Sequence, residues 1–127
     1  MISPSLLIAA VLTVAVGLVH SVLGEWRLIG PLLDPLHRQG ILAKSTFARS
    51  ILRFAWHLTT IAWWGFAVVL AGLATAPIDP AVRMTLIVIA TTFLLTGILI
   101  LVVSRAHHLA WPVFLAISAL SVAPLFG

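Results

Sequence analysis

Residues 84–104 read MTLIVIATTFLLTGILILVVS, twenty-one positions without a charged side chain, bounded by Arg83 and Arg105. A helix needs about 20 apolar residues to cross the hydrocarbon of a bilayer. Working outward, every Asp, Glu, Lys and Arg falls within 25–53, within 79–83, or at Arg105. Three further uncharged runs remain, 1–24, 54–78 and 106–127, and each is also long enough to span. None shows the ten-residue apolar–polar alternation of a barrel strand, so helices are the way to satisfy the backbone in lipid. The expectation is a single all-α integral membrane domain, with four transmembrane helices at about 3–24, 50–76, 80–104 and 107–125. They would form an antiparallel bundle with an interfacial first loop.

Composition narrows the class in the same direction. Of 127 residues, 62% are hydrophobic and 8% charged, too few charges to cover the surface of a water-soluble domain. Such hydrophobicity also excludes disorder. The absence of cysteine removes disulfide scaffolds, thiolate metal sites and redox dithiols.

Punctuation supports the boundaries. Ser3-Pro4 and Asp79-Pro80 each place a capping side chain before a proline, which the first helical position tolerates. The last helix has two possible starts. Beginning at Pro112 makes it short, and beginning near His107 puts Pro112 where it can kink the chain.

Orientation follows from the cations. Arg27, Arg38, Lys44, Arg49, Arg53 and Arg105 lie at one end of the expected helices, and Arg83 alone lies at the other. Positive loops stay in the cytoplasm, so a multi-pass protein of a cell or bacterial inner membrane is expected, with both termini periplasmic or extracellular. No Lys or Arg precedes the first apolar run, so that run is expected to be kept rather than cleaved as a signal peptide. The cations follow topology and form no stripe, which argues against nucleic acid and for anionic lipid head groups as the partner. Small residues on helix faces are compatible with a homodimer.

The first loop contains Leu28-Ile29-Gly30-Pro31-Leu32-Leu33-Asp34-Pro35-Leu36, apolar but interrupted by a glycine and two prolines. It is too short to span, and is expected to lie at the interface as a connector or as a lid.

Five histidines in so short a chain stand out. His20, His57, His107 and His108 all fall near the cytoplasmic end of the expected helices, and His20 and His57 come to matching depths. On the first helix Thr13, Gly17, His20 and Gly24 share a face of mostly small residues; on the second, Arg53, His57, Thr60 and Trp64 share a polar one. Ionisable groups inside a membrane face the interior of a bundle. Glu25 and Arg53 fall at the same level, and Arg53 is expected to pair with Glu25 or cap the site, the alternative being a topogenic cation that snorkels to lipid.

Three readings follow for these residues. His20, Glu25, His57 and one of His107 and His108 form a ligand set suited to divalent zinc or iron, possible in a membrane metalloenzyme. Alternatively, His20 and His57 clamp a b-type haem beside Trp56, Trp63, Trp64 and Phe54, as in an electron carrier. In the third, the histidines only hydrogen-bond between helices or relay protons, as in a non-catalytic interaction subunit. His37, among loop cations, is expected to be solvated. Ser21 cannot serve the adjacent His20 as a nucleophile, because neighbouring helical side chains point about 100° apart.

Overall fold

The computed structural model describes residues 2–126, and all regular structure among them is helical. Helix α1 covers Pro4–Gly24, continues through a π-helical turn at Glu25–Ile29, and ends as α2, Gly30–Leu33. A short α3, Gly40–Lys44, leads to α4, Thr46–Leu73, and then to α5, Pro80–Val103. Helix α6, Trp111–Val122, closes the chain with a 3-10 turn at Ala123–Leu125. Three of these stretches are long and apolar enough to cross a membrane: Pro4–Leu33, Thr46–Leu73 and Pro80–Val103.

Three boundaries differ from expectation, each for a local reason. The α4 helix starts four residues before Ser50, because the Ser45 hydroxyl accepts from the Ala48 N–H at 3.1 Å and caps the first turn. The apolar half of the first loop is a helical continuation of α1 rather than a separate interfacial segment. Pro31 does not stop it, because Pro31 stands in the first turn of α2, where its missing N–H is tolerated. The π-turn needs Gly30: a Cβ there would lie 2.8 Å from the Glu25 carbonyl oxygen. The fourth apolar run is helical only from Trp111, and Trp111–Leu125 is shorter than the three spanning stretches. His107 and His108 precede it in a connection that begins where α5 ends. There the Ala106 N–H reaches the Leu101 carbonyl at 2.9 Å and the Arg105 N–H reaches Val102 at 3.2 Å, the paired bonds of a Schellman motif. Arg105 and Ala106 adopt φ of 50° and 65°, a left-handed conformation that costs L residues energy.

At one end of the molecule, the Ser3 N–H donates to the Ala74 carbonyl at 2.7 Å, joining the start of α1 to the end of α4. At the other end, the Trp56 indole donates to the His20 carbonyl. Helix α1 packs against α4 and α6, and α6 against α5, where Ser118 donates to the Ala90 carbonyl at 2.7 Å. Leu6, Ala9, Ala67, Leu70, Leu86, Ile89, Phe93, Phe114 and Ile117 make the shared core. The outer faces are as apolar as the core: Val68 is 72% exposed, Leu99 62% and Val103 74%. An aqueous surface does not carry apolar patches on that scale, whereas lipid accepts them. Threonines on the helices hide their hydroxyls in the preceding turn, as Thr13 on Ala9, Thr85 on Ala81 and Thr92 on Val88 do.

Candidate functional site

The sequence-expected residues do not converge on one point. They divide between two sites on opposite sides of the α1–α4 contact, because His20 and Ser21 are adjacent on α1 and point about 100° apart.

Ser21 faces α4. Its hydroxyl lies 2.9 Å from His57 Nδ1 and 2.9 Å from Thr60 Oγ1, and Thr60 donates to the Gly17 carbonyl at 3.4 Å. The other ring nitrogen of His57, Nε2, is 3.3 Å from Glu25 Oε2, and the second carboxylate oxygen receives Arg53 Nη2 at 2.8 Å. The π-turn begins at Glu25, and the carboxylate reaches α4 from there. One chain of hydrogen bonds thus runs from the Gly17 carbonyl through Thr60, Ser21, His57 and Glu25 to Arg53. The carboxylate can only accept, so Nε2 carries a hydrogen. With His57 neutral, Nδ1 accepts from Ser21 and Ser21 accepts from Thr60. With His57 protonated, Nδ1 donates to Ser21, Ser21 donates to Thr60, and Thr60 turns to Gly17. Thr60 has one hydrogen, so it reaches Ser21 in the first arrangement and Gly17 only in the second.

His20 turns to the other side. Its ring stacks on Trp56 at a centroid distance of 4.2 Å and meets the edge of Trp63 at 4.9 Å. The His20–Trp56 pair is closed by reciprocal bonds: Trp56 Nε1–H donates to the His20 carbonyl at 3.2 Å, and His20 Nε2–H donates to the Trp56 carbonyl at 3.3 Å. Both rings line a cavity of about 470 Å³ with Trp63, Ile100, Ser104, His108 and Phe114 among its other walls, and it is open on the outer face, where Leu99 and Val103 also line it. The cavity opens because α4 and α5 meet at Phe66 and Phe93, ring centroids 5.8 Å apart, and leave room between them towards Ser104.

His108 is the second imidazole of that cavity. Its Nδ1 accepts from the Ala110 N–H at 3.3 Å. His107 is exposed, with Nδ1 3.2 Å from the Ser104 carbonyl, and lies outside the cavity lining. His37 is exposed and 3.5 Å from Asp34. Among the described residues, no group of three or more His, Asp and Glu side chains is placed to hold a metal ion. Glu25 and His57 are together, His20 and His108 share a cavity, and His107 joins neither.

Sequence reasoning missed Ser21 and Thr60 as members of the site. Helical spacing held the signal: Ser21 and Glu25 are four apart on α1 and its continuation, and Arg53, His57 and Thr60 are spaced by four and three on α4. The partner of His57 was to be sought on that matching stripe rather than at His20.

The chain matches no family model, no curated protein and no solved structure.

Proposed function

We propose that the protein is a small multi-pass membrane protein that binds a lipid-soluble ring compound of the quinone class between α4 and α5. The observation that carries this reading is the cavity of about 470 Å³ in which two imidazoles and the Ser104 hydroxyl interrupt an otherwise apolar wall that includes two indoles and Phe114. Apolar pockets with a few placed polar groups are the usual form of small-molecule sites.

The hydrogen-bond chemistry selects the ligand. The Trp56 carbonyl takes the Nε2 hydrogen of His20, so the Nδ1 of a neutral ring is an acceptor. The Ala110 N–H occupies Nδ1 of His108, so its Nε2–H is a donor. One donor and one acceptor suit a ring whose oxygens change between carbonyl and hydroxyl: His108 can donate to a carbonyl of the quinone, and His20 can accept from a hydroxyl of its reduced form. A haem clamp needs a lone pair from each axial histidine. It would therefore draw on His20 and His108, not His20 and His57, and would cost the His108–Ala110 bond. The zinc or iron reading keeps His57 and Glu25, one ligand short of the three protein ligands usual at catalytic zinc, with Arg53 already paired to the carboxylate.

The test is a thermal-shift titration of the detergent-purified protein with ubiquinone-1. We expect a saturable rise in melting temperature, weakened about tenfold or more by His108→Phe and unaffected by His37→Ala. No saturable rise would overturn the quinone reading. A Soret band in the purified protein would replace it with haem, and stoichiometric zinc or iron lost on His57→Ala would replace it with the metal site.

In the membrane we place four crossings as an antiparallel bundle, α6 being the shortest, with the His57 hydrogen-bond chain and the cavity at the cytoplasmic end. Six of the seven cations support that direction. A reporter fused after Gly127 should read out as periplasmic or exterior; cytoplasmic activity of that fusion would invert the assignment.

A further inference from the structure

Beyond the ring-binding cavity, the chain has a pocket of different chemistry, and we propose that it seats the phosphate of an anionic phospholipid. The pocket, about 570 Å³, lies between the first turns of α4 and the segment that follows α2. Thr46, Arg49, Ser50 and Arg53 line it from α4, spaced by three, one and three, so they occupy one helical stripe. Leu33, Pro35 and Arg38 line it from the other segment, and Phe54 of α4 completes the lining. Three arginines and two hydroxyls therefore face one space, and no carboxylate lines it.

The arginines are held differently: Arg38 and Arg49 favour an anion, whereas the charge of Arg53 is offset by Glu25. Arg49 Nη1 donates to the Leu42 carbonyl at 2.8 Å and Nη2 donates to Thr46 Oγ1 at 2.8 Å, which fixes its guanidinium before any ligand arrives. Arg53 is anchored on Glu25 by one nitrogen, Nη2, at 2.8 Å. The Arg38 side chain makes no hydrogen bond within the described residues, so its whole fork remains for a ligand. A guanidinium offers five N–H donors in a plane that matches phosphate oxygens two at a time. The first turn of α4 adds the positive end of its dipole to the same space.

The surroundings favour a lipid over a free ion. Leu33, Pro35 and Phe54 give the pocket an apolar side, and Ile51 and Phe54 continue it along α4, 47% and 59% exposed. A phosphate in the pocket would leave its acyl chains beside that face. The pocket also belongs to the cation-rich end of the chain, where anionic head groups concentrate in a cytoplasmic leaflet.

The test uses purified protein in a neutral detergent, titrated with dioctanoyl phosphatidylglycerol, dioctanoyl phosphatidylcholine or inorganic phosphate, and read by melting temperature. Phosphatidylglycerol should raise it saturably, while the other two should not at equal concentration. Arg38→Gln, which removes no internal bond, should weaken the half-saturation concentration about tenfold, and Arg38→Lys less. Arg105→Gln removes the same charge elsewhere and should change it less than about twofold. Equal protection by inorganic phosphate would make this a free-anion site and overturn the lipid proposal. Equal losses in Arg38→Gln and Arg105→Gln, or no saturable shift at all, would reduce it to diffuse attraction and overturn it too. Since the cavity residues His20 and His108 are untouched, ubiquinone-1 binding in Arg38→Gln reads independently of this outcome.

Discussion

Phe93→Ala should destabilise the protein by about 3–5 kcal/mol, seen as a large fall in melting temperature in detergent. Phe93 is 1% exposed and sits in a chain of rings, 5.8 Å from Phe66 on α4 and 5.8 Å from Phe114 on α6, with Phe114 in turn 5.1 Å from Trp63. Three helices meet on that chain. In lipid, the gain from burying a ring is packing rather than exclusion of water, so a void between helices forfeits dispersion contacts that lipid cannot restore. Leu95→Ala removes a side chain that is 61% exposed on the same helix, and should stay within about 0.5 kcal/mol. Equal losses for the two variants would mean that Phe93 is no more packed than a lipid-facing residue. The effect should reach the cavity beside His20 as well, because Phe114 lines it and rests on Phe93.

The exposed face bearing Leu95 explains which parts of the fold were legible in the sequence. Charges cannot sit in lipid, so their positions marked the ends of α5 almost to the residue, and Asp79 caps α5 by accepting from Val82 at 2.8 Å, whereas the first helix runs on past Glu25 and Arg27. The same criterion is blind where an uncharged stretch need not be a full-length helix. The run 106–127 carries no charge, yet its first residues form the connection that brings His108 to the cavity. It was also blind at Gly30-Pro31, where a breaker pair is absorbed by a π-turn, a local register change that composition does not encode. For the site, depth along the helices was readable but rotation about them was not. His20 and His57 reach similar levels, and the 100° step from His20 to Ser21 decides which of the two meets His57.

Gly24→Ala should cost about 1–3 kcal/mol and disturb both sites together, although it adds a single methyl group. The backbone at Gly24 lies under the Trp56 indole, so a Cβ there would overlap that ring. Trp56 has little freedom to withdraw, because it stacks on His20 and exchanges two hydrogen bonds with it. Either the indole leaves, opening the wall of the cavity, or α1 moves off α4, lengthening the Glu25–His57 and Ser21–His57 contacts. Gly72→Ala is the control: a Cβ at Gly72 meets nothing within 4 Å, so inside a helix it should be neutral or stabilising by roughly 0.5–1 kcal/mol. Trimming the ring supplies the decisive comparison. In a Trp56→Leu background the added methyl has room, so Gly24→Ala should cost much less there than in the parent, a coupling that independent sites do not show. Additive losses would mean that Gly24 and Trp56 do not touch, and the clasp that positions His20 would lose its basis.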